Sequence, residues 1–205
     1  MEKAASEGGN CMNIVYHEKG KVFHLFNDFV SYIFMVLPHG GLGSLYYGKA
    51  LRDREGFEHI FERAHRGMTA CVFADTRSYS LDAIRQELPT YGSSDFRRPA
   101  LNVLQENGSR ILDLQYAGYR VMDGKPKLAG LPATYAEAET EAKTLIIEVK
   151  DELTGLRAEL LYTIFAEGGA IARSVRYINE GKEVLHLQKV MSMSIDLPDT
   201  QYDWM

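Results

Sequence analysis

Alternation with a period of two is the feature of this sequence that most narrows what it can fold into. Leu185, Leu187, Met191, Met193, Ile195 and Leu197 are all odd-numbered, with His186, Gln188, Ser192, Ser194 and Asp196 between them. Successive side chains of a strand point to opposite faces, so the run reads as sheet with one apolar face. Only Lys189 interrupts that face. The run is long for one strand, so a bend or bulge is expected near Lys189. Leu145, Ile147 and Val149 alternate in the same way with Glu148 and Lys150. Leu156, Ala158, Leu160, Tyr162 and Ile164 alternate with Arg157, Glu159 and Thr163, and Val175 and Tyr177 oppose Ser174 and Arg176. The stretch from Tyr32 to Leu37 is apolar without a break, as expected of a strand covered on both faces. Between the runs stand Glu18-Lys19-Gly20, Asn107-Gly108, Asp123-Gly124, Glu167-Gly168-Gly169 and Asn179-Glu180-Gly181. Glycine supplies the positive φ of tight turns, and Asn or Asp tolerates it nearly as well. Many strands joined by short turns predict an all-β fold of stacked antiparallel sheets.

One segment departs from the pattern. Ser80 is placed to cap a short helix in which Leu81, Ile84 and Leu88 share a face and Pro89 ends the helix. At most two short helices are expected, one of them within 80–88. The region from Arg52 to Arg98 is otherwise irregular and charged, longer than most connections inside a compact domain; such stretches usually carry function. Residues 1–10 read as a flexible leader and 11–205 as one domain, with no linker or internal repeat.

The 205 residues leave room for a substantial core. A net charge of -5 argues against general affinity for nucleic acid or an anionic membrane. No stretch reaches the 18 to 20 or so apolar residues that cross a bilayer. The start lacks the apolar core of a signal peptide, so a cytoplasmic protein is expected, with Cys11 and Cys71 as reduced thiols. His39-Gly40-Gly41-Leu42-Gly43 lacks the Lys-Ser/Thr ending of a phosphate loop and reads as a turn between strands. The six histidines are scattered, and His59 and His65 stand six apart, which suits neither helix nor strand ligation; no metal site is expected. There is no Gly-x-Ser-x-Gly elbow. Sugar hydrolysis uses a pair of carboxylates about 5 to 9 Å apart, but Glu137, Glu139, Glu141, Asp151 and Glu152 read as solvated positions near strand ends. In the stretch from Pro89 to Pro99, Asp95 is expected to hold backbone amides and Arg97 to pair with a carboxylate; the alternative is sugar recognition, with Tyr91 and Phe96 stacking on the ring.

That stretch is part of a wider resemblance. Phe23-His24-Leu25, Ser31-Tyr32, Gly41-Leu42-Gly43 with Leu45-Tyr46-Tyr47-Gly48-Lys49, and Tyr79-Ser80-Leu81-Asp82 come first. Gln86-Glu87-Leu88-Pro89-Thr90-Tyr91-Gly92 runs into Asp95-Phe96-Arg97, followed by Glu106-Asn107-Gly108-Ser109. Gly124-Lys125-Pro126, Gly130-Leu131-Pro132-Ala133-Thr134-Tyr135, Met191-Ser192-Met193-Ser194 and Tyr202-Asp203-Trp204 complete the set. In this order and spacing the sequence resembles the N-terminal domain of glycoside hydrolase family 36, the bacterial α-galactosidases of melibiase and raffinase type.

The resemblance implies a large antiparallel β-supersandwich of the galactose mutarotase-like kind, cut off at Met205 before a (β/α)₈ barrel. The catalytic aspartates would lie in that barrel, so no catalytic residue is expected in this chain and the chain alone is expected to be inactive. The full-length form would hydrolyse terminal α-galactosides with retention and without a cofactor. Its N-terminal domain would pack on the barrel, support a homo-oligomer (a tetramer) and reach a neighbouring subunit's sugar site. The family's residues for that contact are matched by Arg77, just before Tyr79-Ser80-Leu81-Asp82, and by Glu62 in Phe61-Glu62-Arg63-Ala64, where Glu replaces Asp. The alternatives are an autonomous carbohydrate-binding module and a mutarotase-type epimerase, which would need a His/Glu pair in a cleft.

Overall fold

The computed structural model describes residues 12–62, 79–92, 95–130 and 133–197. Among them are ten strands: β1 (Asn13–His17), β2 (Val22–Phe26), β3 (Val30–Val36), β4 (Leu42–Lys49), β5 (Leu101–Leu104), β6 (Gln115–Asp123), β7 (Ala142–Lys150), β8 (Leu156–Phe165), β9 (Ile171–Asn179) and β10 (His186–Val190). They form two four-stranded meanders, β1-β2-β3-β4 and β6-β7-β8-β9, and a two-stranded β5–β10 ribbon. Every pair of these strands is antiparallel.

The alternation read from sequence decides how the meanders meet. Phe23 and Leu25 of β2, Tyr32 and Phe34 of β3, Leu145, Ile147 and Val149 of β7 and the even positions of β8 from Leu156 to Ile164 share one core. Its centre is aromatic: Phe34 stacks on Tyr162 at 4.8 Å and on Phe23 at 5.1 Å. On the opposite face of β8, Glu159 accepts from Arg157 Nη1 at 2.9 Å and from Arg120 Nη2 at 3.1 Å. All seven residues of β3 are buried, because a second core covers its other face. Ile33, Met35 and Leu37 there pack with Val22, Leu45, Phe57, Tyr79, Leu81 and Ile84. Each such side chain taken fully from water contributes about 1.5 to 3 kcal/mol. The bend expected near Lys189 is present as a register shift between Leu187 and Lys189 where β10 pairs β5.

Four expectations need correction. The described residues hold three single 3-10 turns rather than at most two helices, at Phe57–Ile60, Leu81–Ala83 and Glu139–Glu141. Within 80–88 only Leu81–Ala83 is helical, and Ser80 gives its end no side-chain cap. The chain is drawn out of the helix by β4: Ser44 donates to the Arg85 carbonyl at 2.9 Å, and Glu87 to that of Leu42 at 3.0 Å. Leu81 and Ile84 enter the second core while Leu88 packs on the first, so the three do not share a face. In the turn after β1 the positive φ belongs to Lys21 (52°) rather than to Gly20. Asp151, read as solvated, is 3% exposed and accepts from the amides of Asp113 (3.0 Å), Leu153 (2.9 Å) and Thr154 (3.2 Å). A β-hairpin corner leaves amides unpaired, and this carboxylate satisfies them. The leader at 1–10, Cys11 and Cys71 lie outside the described residues.

Candidate functional site

The irregular chain between β4 and β5 is the part that secondary structure explains least, and it carries both residues singled out from sequence. It is tied down at several points. Near its start Asp53 reaches back to the β1–β2 hairpin. His17 and His24 are diagonal neighbours on one face of that hairpin, since Val15 pairs with His24 and His17 with Val22. Both imidazoles meet the same oxygen, Asp53 Oδ1, from His17 Nε2 at 2.9 Å and from His24 Nδ1 at 2.7 Å. His24 Nε2 lies 2.9 Å from Ser31 Oγ, which accepts the Leu51 amide at 2.9 Å. Burial holds the His24 pKa below its ordinary value despite the carboxylate beside it. Burial raises the Asp53 pKa, but the hydrogen bonds from His24 and His17 outweigh it and bring it below the usual carboxylate value. Four residues on, Phe57 inserts into the second core.

The returning half is held by charge. Asp95, 2% exposed, accepts from the amide of Arg97 at 3.0 Å and from its Nε and Nη2 at 3.0 and 2.9 Å. Arg97 Nη2 also donates to the carbonyls of Leu81 and Ile84 at 2.9 and 2.8 Å. Of the two readings of this stretch, the structural one describes these contacts. Its neighbours Tyr91 and Phe96 are exposed.

Deeper still, Glu87 is fully buried between the meanders. Its carboxylate accepts from Tyr32 Oη (2.9 Å), Tyr162 Oη (3.0 Å) and Arg173 Nη1 (2.7 Å). The Arg173 guanidinium lies 3.8 Å from the centre of the Tyr162 ring, a cation–π contact. Burial works against its charge, and the facing Tyr162 and Glu87 overcome that, leaving its pKa raised. Burial also raises the pKa of Tyr32 and Tyr162, so both phenols stay protonated and donate.

Of the two predicted site residues, Glu62 is on the surface, its side chain 76% exposed, in a 3.4 Å ion pair with Arg85. Arg77 lies outside the described residues. The structure therefore does not bring the two together within what it describes. Among the described residues the buried carboxylates Glu87, Asp95, Asp151 and Glu159 are all committed to internal partners. Glu87 meets tyrosines and an arginine, and His24 meets an aspartate, so neither joins a His/Glu pair of the kind an epimerase would use. Sequence reasoning missed His17, His24, Asp53, Glu87 and Arg173. Arg173 did leave a signal: on β9 it occupies the apolar face that Ile171, Val175 and Tyr177 share.

The model of the glycosyl hydrolase family 36 N-terminal domain matches residues 40–205. Alpha-galactosidase AgaA of Geobacillus stearothermophilus is 44% identical over 193 residues, which are 94% of this chain and 26% of that protein. The crystal structure of alpha-galactosidase AgaB from the same organism superposes with a TM-score of 0.84 at 42% identity, covering 91% of this chain and 25% of that one. A variant of AgaA in complex with raffinose gives a TM-score of 0.82 at 44% identity, over 87% of this chain and 25% of the other. The chain thus spans about a quarter of the length of the proteins it matches.

Proposed function

The chain belongs to the glycosyl hydrolase family 36 N-terminal domain family, and from that premise we propose that it serves an α-galactosidase as a non-catalytic β-sandwich domain. The complete protein hydrolyses terminal α-galactosides of the melibiose and raffinose type with retention, in the cytoplasm. The domain packs on the catalytic barrel, supports the oligomer and lines a neighbouring subunit's sugar site through Arg77 and Glu62. The observation that carries this reading is 44% identity over 94% of the chain with an α-galactosidase about four times its length. Two facts support the role of the irregular segment. Its flanks are fastened to both cores, and Glu62 is exposed with only a long ion pair.

Two measurements test it. The purified chain should not turn over a chromogenic α-galactoside, whereas the longer polypeptide should. Turnover by the chain itself, abolished by substitution of one of its own carboxylates, would place the active site here. In the longer polypeptide Arg77→Ala should weaken substrate binding or assembly by about 1 to 3 kcal/mol, the range for a hydrogen bond to a charged group. An ordinary surface ion pair contributes only about 0 to 1 kcal/mol. Unchanged KM, kcat and oligomer mass would retire the assignment of Arg77.

A further inference from the structure

His17 Nε2, His24 Nδ1 and Asp53 Oδ1 converge from three stretches of chain, with one ligand atom from each residue, all within 4.8 Å of one another. We propose that these three side chains form a binding site for one divalent transition-metal ion of the zinc type. Two imidazoles and one carboxylate are a donor set suited to zinc, cobalt, nickel or copper and unsuited to calcium or magnesium, which take oxygen ligands. Zinc bonds of about 2.0 to 2.2 Å place tetrahedral ligands about 3.3 Å apart. The present contacts to Asp53 Oδ1 are 2.9 and 2.7 Å. Admitting the ion therefore needs Asp53 to withdraw by about half an ångström and the two imidazole nitrogens, which lie within 4.8 Å of each other, to come to the same spacing. Asp53 is the freest of the three, its side chain 29% exposed against 11% for His17 and 0% for His24.

The surroundings are those of a ligating histidine. Such a ring donates its second N–H to a fixed acceptor, which sets its tautomer and orientation. His24 Nε2 has Ser31 Oγ at 2.9 Å for that purpose, and Ser31 is itself held by the Leu51 amide. Asp53 borders a cleft of about 560 Å³ that is also lined by Leu51, Arg52, Arg54, Phe57 and Ile60. That cleft gives the ion a path in and a water for the fourth position. Two arginines line it, but Arg54 is turned to the Phe57 ring at 5.6 Å and to His59 Nε2 at 3.2 Å. A metal here would clamp the start of the irregular segment to the β1–β2 hairpin.

The test is equilibrium dialysis of the tag-free chain against Zn²⁺, with metal content and melting temperature as readouts and Ca²⁺ and Mg²⁺ as controls. Uptake of one Zn²⁺ per chain with a raised melting temperature is expected, neither control ion reproducing it. Co²⁺ at the same site should show the visible bands of a four-coordinate ion. His17→Gln and Asp53→Asn should each weaken Zn²⁺ binding at least tenfold, since changing even an outer-shell partner of a ligand typically costs about 10- to 100-fold. If Asp53→Asn does not melt cooperatively, His17→Gln decides. No uptake overturns the proposal, and so does weakening under tenfold in a folded variant, because the ion would then be held by other residues.

Discussion

Glu87 and Arg173 show how one buried ion pair can join pieces of chain that share no sheet. Glu87 comes from the irregular segment and Arg173 from β9, and the side chains are 0% and 4% exposed at 2.7 Å separation. Taking two charges out of water is costly, and the pair is tolerable because Tyr32 and Tyr162 add donors to the same carboxylate. Arg173 Nε and Nη2 are buried and make no hydrogen bond to a described residue, so the balance is close. Removing one partner leaves the other without its counter-charge. Arg173→Met is expected to lower unfolding free energy by about 3 to 5 kcal/mol. The double variant Arg173→Met/Glu87→Leu should lose clearly less than the sum of the two single losses, because neither charge remains. Urea unfolding of the three variants measures this. A loss under 1 kcal/mol for Arg173→Met, or strict additivity, would mean the pair does not hold the segment. The cluster was only half visible beforehand. A charged residue on the apolar face of a strand marks Arg173 as unusual, but its partner lies 86 positions away in a segment without periodicity. The His–Asp–His trio was hidden for a similar reason: its histidines align only once the hairpin register is known.

At the level of elements, what a period of two can express was readable from residues alone. The faces of β7, β8 and β9, the doubly buried β3 and the bend at Lys189 all follow from which positions are apolar. The shape of 80–88 was not readable, because a 3.6-residue spacing of Leu81, Ile84 and Leu88 is also met by an extended chain crossing from one core to another. Neighbouring β4 decides it. Turns fall between these cases, since composition locates them but backbone approach sets what they tolerate. The corner from Asp151 to Gly155 packs against the one that follows β9. Gly155 has φ 72°, and a Cβ there would lie 2.6 Å from the Gly181 nitrogen; a Cβ on Gly181 would lie 2.1 Å from the Thr154 carbonyl oxygen. Backbone cannot yield as a side chain end can. Gly155→Asn and Gly181→Ala are therefore expected to cost about 1 to 3 kcal/mol each, the range for overpacking. Gly108→Asn should be nearly neutral, since φ 82° suits Asn and nothing lies within 4 Å. Thermal melts compare them. Equal losses at positions 108 and 155 would show that φ alone, and not the contact of two corners, sets the cost.

For the molecule as a whole, the last strand poses the largest question. Its apolar positions alternate but for the bend at Lys189, yet Leu187 and Val190 in β10 are 48% and 50% exposed, and Met191, Met193 and Leu197 beyond it 45%, 40% and 44%. β10 pairs only with the four-residue β5, and the described residues leave these side chains about half exposed. An apolar row of that length on a surface marks a contact with something else. The chain matches about a quarter of its α-galactosidase relatives, and under the proposed function the missing cover is the catalytic barrel of the same polypeptide. The consequence is a difference between contexts. In the isolated chain Leu187→Asp and Met191→Lys replace exposed side chains, so stability should change by no more than about 0.5 kcal/mol. In the longer polypeptide the same substitutions would put an unpaired charge into a packed interface and destabilise it by several-fold more, on the order of 2 to 5 kcal/mol. Unfolding curves of both variants in both forms decide it, alongside hydrogen exchange at 187–193, which should slow in the longer form. Equal effects in the two contexts, with equal exchange, would show that the barrel leaves this row in water and that the domain docks by another face.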